Sequence, residues 1–245
     1  MKRLLAAAML LSASAAGAED TVVRFYGYAY DLKSNEYAFT EILEQRMANG
    51  QWVGGSTDYF LPDGREIGRK TLDFSRDPFV PVFRLTLGEG YAEGISDNGD
   101  PIVVTRESGG RMKSAKIGKQ GLIAADAGMA RLLRAHLDSL QRGETLAFRV
   151  VAPSRLDAYR FRARRVADAA FEGKPAVRIQ VEMDSMLKLV AGPLFFTYDP
   201  ATLKLLEFRG VTNIRDPRTG EDFRVRISYY SVPPKEAPKL PPLTP

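Results

Sequence analysis

Asp126-Ala127-Gly128-Met129-Ala130-Arg131-Leu132-Leu133-Arg134-Ala135-His136-Leu137-Asp138-Ser139-Leu140-Gln141 is the one stretch of this chain with a clear helical period. Met129, Leu132, Leu133, His136, Leu137 and Leu140 recur at spacings of three and four, which puts them on one face of a helix. Asp126 is placed to cap its N-terminus, and Gly143 stands just past its end. A helix with a single apolar stripe has to bury that stripe against something. The rest of the sequence reads as strands, so the partner is a sheet.

Ahead of the helix, residues 22–30, 36–46, 51–60 and 66–74 carry strand patterns. They are divided by turn residues: Asp31 to Asn35, Asn49-Gly50 and Leu61-Pro62-Asp63-Gly64. Gly54-Gly55 interrupts the third strand and marks a bulge or a close backbone approach. Residues 82–87 and 101–106 are weaker strand candidates. Behind the helix, strands are expected over 145–151, 158–167, 175–184, 194–198, 203–213 and 222–230. Glu172-Gly173-Lys174-Pro175, Asp199-Pro200-Ala201-Thr202 and Asp216-Pro217-Arg218-Thr219-Gly220 provide the turns. The expected fold is mainly β: one domain over residues 19–232, with a long curved antiparallel sheet, an unclosed β-barrel, wrapping one central helix.

The chain opens on a secretory signal. Lys2 and Arg3 form the positive region, Leu4 to Leu11 is apolar, and Ala16-Gly17-Ala18 supplies the small residues of a cleavage site. Cleavage after Ala18 is expected, with a soluble product in the bacterial periplasm. The apolar run is too short to span a bilayer. Pro233 to Pro245 holds six prolines and reads as an extended, flexible tail. The chain contains no cysteine, so export brings no disulfides, and stability has to come from the core. Removing Lys2 and Arg3 from 35 basic residues leaves 33 against 30 acidic ones. That near balance gives no nucleic-acid footprint, despite a sequence pI of about 9.4.

Catalytic patterns are sparse. His136 is the only histidine, so a multi-histidine zinc site is out, and its place on the apolar helix face suits packing better than proton transfer. No G-x-S-x-G elbow accompanies it. Ser185-Met186-Leu187-Lys188 matches S-x-x-K, yet it ends a strand run and has no K-T-G partner. Asp97-Asn98-Gly99-Asp100 is rich in carboxylates but lacks calcium-loop spacing. Asp216, Glu221 and Asp222 read as a solvated loop, and no phosphate-binding loop is present. No cofactor and no metal are called for.

The main polar feature is a stripe of Arg160, Arg162 and Arg164 on one face of a strand. It reads either as an anion site or as half of a cross-strand ion-pair ladder, with Arg164 facing Glu182 and Arg162 facing Asp184. A one-residue slip would break that pairing. A second basic segment, Arg106 to Lys119, holds its cations among Gly and Ser and reads as a mobile loop.

Signal, meander, helix and second meander together resemble the unclosed β-barrel proteins of the bacterial envelope. These include lipoprotein carriers, anti-sigma-factor regulators and a group of uncharacterised periplasmic proteins. Tyr198-Asp199-Pro200-Ala201-Thr202-Leu203-Lys204-Leu205-Leu206 and Pro153-Ser154-Arg155-Leu156-Asp157-Ala158-Tyr159 are similar to segments of that last group. The resemblance implies a concave apolar face under a helix, able to hold a lipid-like ligand. Phe25, Phe39, Trp52, Phe74, Met129, Leu133 and His136 are the candidates to line it, with Arg160, Arg162 and Arg164 as polar contacts. The same apolar residues are what any β domain buries as core. The first expectation is therefore a non-enzymatic periplasmic protein binding a lipid or another hydrophobic small molecule. The second is an envelope interaction or scaffold protein with a filled barrel and a protein partner. A hydrolase using His136 or Ser185 is the third.

Overall fold

A computed structural model describes residues 20–88, 90–166, 169–184 and 192–229. The expected export signal, Ser185-Met186-Leu187-Lys188 and the proline-rich tail lie outside the described residues.

The first meander runs β1 (Thr21–Asp31), β2 (Tyr37–Ala48), β3 (Gln51–Phe60), β4 (Glu66–Asp73), β5 (Val82–Leu87), β6 (Tyr91–Asp97), β7 (Ile102–Ser108) and β8 (Arg111–Ile117). A short β9 (Ile123–Ala125) leads into the helical segment. The second meander follows as β10 (Leu146–Ala152), β11 (Asp157–Arg165), β12 (Ala169–Phe171), β13 (Lys174–Met183), β14 (Leu194–Tyr198), β15 (Leu205–Arg215) and β16 (Asp222–Ser228). All belong to one sheet in the order β8-β7-β6-β5-β4-β3-β2-β1-β16-β15-β14-β13-β11-β10-β9, with β12 paired to β13 off this path. Pairing of β1 with β16 joins the two meanders, and the sheet is curved and unclosed.

Turn chemistry sets the local register. Asn49 and Gly50 take φ of 50° and 71°, and Ala48 pairs with Gln51 across them. That is the two-residue hairpin the dipeptide favours. A bulge follows between Arg46 and Met47. There the glycine pair lets three strands crowd together: a Cβ on Gly55 would stand 1.8 Å from the Glu44 carbonyl oxygen, and one on Gly54 2.6 Å from that of Leu72. The glycines thus serve a close backbone approach within a bending sheet.

Two expectations need correction. Arg106 to Lys119 is no mobile loop. Most of it forms the β7–β8 hairpin, turned by Gly109 and Gly110 at φ 56° and 72°. Gly and Ser among cations look like linker, but the paired glycines are the turn itself. Around the arginine stripe the register also differs from the expected one. Glu182 lies opposite Arg162, and Arg164 lies opposite Gln180. The turn is tighter than expected, with Glu172 and Gly173 at φ 50° and 76° closing Phe171 onto Lys174. The β12–β13 and β11–β13 ladders are out of step by one residue. The two offsets combine into a shift of two, which keeps the arginines and acids on one face.

The expected helix comes in two pieces, α1 (Ala127–Ala135) and α2 (Leu137–Gln141), broken at His136 (φ −108°, ψ 14°). The His136 N–H is shared between the carbonyls of Leu132 and Leu133, each at 3.2 Å. The break turns α2 so that Leu132, Leu133, Leu137 and Leu140 are all fully buried. They pack on Phe148, Ala163, Val177, Ile179, Val181, Phe196 and Tyr198 from the second meander. The Tyr198 hydroxyl donates to the Ala130 carbonyl at 2.9 Å.

A second, larger core lies inside the first meander. Strands β9 and β10 contribute to it, as do Ile214, Phe223, Val225 and Ile227 of β15 and β16. Ile123, Ala125 and Val151 face that core, while Ala124 and Phe148 face the helix. Strand β9 is buried on both faces, which is why its three residues are all apolar.

Candidate functional site

Of the proposed ligand-lining residues Phe39 and Phe74 are buried in the larger core and Leu133 in the helix core, Trp52 and Met129 pack at the margins of these, and Phe25 and His136 are half-buried outside both. Phe39 is fully buried, 5.1 Å from the ring of Phe223 and 6.2 Å from that of Tyr59. The Trp52 and Phe74 rings lie 4.6 Å apart. The Arg131 guanidinium from α1 sits 4.4 Å from the centre of Phe74 and donates to the Trp52 carbonyl at 2.8 Å. Leu133 and Met129 belong to the helix core, and Phe25 packs edge-on against Tyr229, which lies against the larger core. His136 is half-buried at the helix break, where its carbonyl accepts from Ser139 Oγ. Open grooves of about 290 and 340 Å³ run along β4 and β5. None of the proposed lining residues contributes to them.

What the structure does bring together is a sealed polar centre. Lys70 of β4 projects into the barrel and pairs with Asp126 at the N-terminus of α1, its Nζ 2.8 Å from Oδ1 and 3.0 Å from Oδ2. Their side chains are 11 % and 6 % exposed. Asp126 also caps the helix by accepting from the Ala127 N–H at 2.7 Å. Asn213 Nδ2 donates to Asp126 Oδ2 at 3.3 Å and to Glu93 Oε1 at 3.4 Å. Glu93 accepts a further hydrogen bond from the Tyr91 hydroxyl. On the other side the Tyr229 hydroxyl donates to Glu41 at 3.4 Å. Lys70 Nζ lies 5.9 Å from the centre of the Tyr59 ring. A Cβ on Gly27 would come within 3.0 Å of Glu41 Oε2, so the glycine leaves room for that carboxyl group.

Burial governs the electrostatics. It pushes the Glu41 carboxyl up to about 7; Lys70 pulls it down and Asp126 adds to the rise. Glu93 is raised too, chiefly by burial, against the hydrogen bonds from Tyr91 and Asn213. Burial opposes the charge on Lys70, but Asp126, Tyr59 and Glu41 outweigh it and hold the ammonium above the usual lysine value. The centre is therefore an ion pair flanked by two carboxyl groups that burial drives toward the neutral form.

A pH dependence follows. Unfolded, Glu41 loses its proton near 4.5; folded, it keeps it up to about 7. Between those values the folded state binds more protons, so stability is greatest at the acid end and falls as pH rises. That window corresponds to roughly 3 kcal/mol for Glu41. Glu41→Gln keeps the shape without the charge. Urea unfolding is expected to show wild type losing stability between pH 5 and 8, with Glu41→Gln retaining most of it. Equal slopes in the two proteins would show that Glu41 is not the titrating group.

Sequence reading passed over this centre, although a signal for it exists. Glu41 is in phase with Phe39, Lys70 with Leu72, and Glu93 with Tyr91 and Ile95. A charged residue in the apolar phase of a strand is a buried charge looking for a partner. Asp126 was legible as a cap but not as an ion-pair partner, because Lys70 is 56 residues away.

The other candidates have ordinary structural partners. In the Asp97–Asp100 turn, Asp97 accepts from Arg76 at 3.1 Å and from the Gly99 N–H at 3.0 Å, and Asp100 from the Lys119 N–H at 3.0 Å. Among the described residues no cluster of His, Asp and Glu is disposed to hold a metal ion. Arg162 is 3.0 Å from Glu182 and 3.9 Å from Asp184, while Arg160 and Arg164 are exposed.

No protein-family model matches the chain, and no curated protein matches it. Among solved structures it is similar to a beta-barrel-like protein of a domain of unknown function, DUF1849, from Brucella abortus. The identity is 8 % over 86 % of this chain and 96 % of the other, with a TM-score of 0.47.

Proposed function

We propose that this chain is an exported, non-enzymatic interaction protein of the bacterial envelope, whose half-barrel is filled by its own side chains. The observation that carries this reading is the occupancy of the concave face. Leu132, Leu133, Leu137 and Leu140 fill one part of it, and residues such as Phe39, Leu85 and Ile95 fill the other. A lipid carrier needs an apolar cavity held open between such residues. Here Phe39, Trp52 and Phe74 contact other rings, and the polar centre completes the interior. A barrel of this kind acts through its outer surface. No helix among the described residues is long and apolar enough to cross a membrane.

The test is native mass spectrometry of protein purified gently from an envelope extract. The bare polypeptide mass is expected. A lipid retained at one copy per chain would overturn the filled-barrel reading in favour of a carrier.

A further inference from the structure

Strand β11 exposes a row of arginines whose charge the protein only partly balances, and Arg149 of β10, half-buried at the margin of the larger core, adjoins it. Arg149 of β10 lies directly opposite Arg160 of β11 in the ladder. Like charges in that position destabilise a sheet. Arg162 and Arg164 continue the row on the same face at alternate positions, about 7 Å apart along the strand. Glu182 and Asp184 neutralise Arg162. Arg149 spends one N–H on the Gly118 carbonyl, at 2.8 Å, which leaves its charge in place. Among the described residues neither Arg160 nor Arg164 is within ion-pair distance of a carboxylate, although Asp184, whose N–H donates to the Arg160 carbonyl at 2.8 Å, stands across from Arg160; Arg164 faces the neutral Gln180.

We propose that this face docks on an anionic phospholipid surface. The proposal rests on the reading of the chain as an envelope interaction protein and names its partner. Three observations select a lipid surface over an acidic peptide. First, along the arginine row β11 is laddered to β10 on one side and, from Phe161 to Arg165, to β13 on the other, so little of its described main chain is open to an added peptide strand. Second, all four cations are arginines, whose planar forks suit phosphate oxygens. Third, Leu122, whose carbonyl accepts the Arg149 N–H, is 39 % exposed and adds an apolar contact beside the row. Basic side chains beside an exposed apolar one suit a membrane interface.

The test is co-sedimentation of the full chain with vesicles of phosphatidylcholine carrying about 30 % phosphatidylglycerol, beside vesicles of phosphatidylcholine alone. Binding is expected only to the anionic vesicles, and it should weaken steeply between about 0.05 and 0.5 M salt. Arg160→Glu with Arg164→Glu should weaken it by about 10-fold or more. Lys33→Glu with Arg65→Glu removes the same charge elsewhere and should leave binding within about twofold. Unchanged thermal midpoints would show that both double variants fold. No binding to anionic vesicles at low salt overturns the proposal, as does equal loss in both double variants. Capture of soluble polyglutamate through Arg160 and Arg164 without vesicle binding would assign the face to an acidic protein instead. The mass measurement above decides the filled barrel and the vesicles decide the face, so the two ideas fail separately.

Discussion

Asp126→Ala is expected to destabilise the protein by about 3–5 kcal/mol, because it strands a buried ammonium. Lys70 has its ion-pair partner in Asp126, and both side chains are almost fully enclosed. The substitution also strips the cap from α1 and removes an acceptor from Asn213. The remaining carboxyl groups, Glu41 and Glu93, are held toward their neutral forms and compensate only if one of them ionises. Lys70→Met combined with Asp126→Asn should be far less harmful than Asp126→Ala alone, since no charge is left uncompensated. Urea unfolding of the three proteins checks this. If Asp126→Ala costs under about 1 kcal/mol, the pair is not the electrostatic anchor of the helix.

The second large effect is expected at Gly128, in the first turn of α1. Replacing glycine by alanine inside a helix ordinarily stabilises it by roughly 1 kcal/mol. Here the sign should reverse. A Cβ on Gly128 would stand 2.0 Å from the Phe79 carbonyl oxygen and 2.5 Å from its carbon. Those are main-chain atoms, and they are pinned. The same oxygen accepts the Ala125 N–H at 2.9 Å, and Asp77 Oδ1 accepts the N–H groups of Phe79 and Val80 at 2.8 and 2.9 Å. The helix has to move instead, which drags Leu132 and Leu133 out of register with the sheet. Gly128→Ala should lower the thermal midpoint by about 5–10 °C, and Gly128→Val by more. An alanine variant as stable as wild type would mean that α1 does not approach residue 79 so closely.

Both predictions fall on the segment from which the fold was read, yet neither follows from its periodicity. The stripe of leucines identified a helix seated on a sheet, because a 3.6-residue period is visible within one short window. The break at His136 was not visible: it depends on where the second meander places its apolar side chains. The hairpin at Asn49-Gly50 was legible because positive φ is a property of the two residues themselves. The β7–β8 hairpin was not. Its glycine pair sits among Arg111, Lys113 and Lys116, where polarity resembles that of a loop. The arginine register was open for a similar reason. One residue of slack beyond the Glu172-Gly173 turn moves every later pair, and no local pattern records it.

Local chemistry by itself determined that this chain builds two runs of strands around one helical segment, and which apolar residues are available to fill it. Hairpin turns, helix caps and period-two alternation act over a few residues, so they are written where they can be read. Tertiary structure alone decided that β9 is clothed on both faces, that Lys70 meets Asp126, and that Arg149 stands opposite Arg160. Each depends on segments far apart in the chain, and their meeting is set by how far the sheet bends and which strands become neighbours.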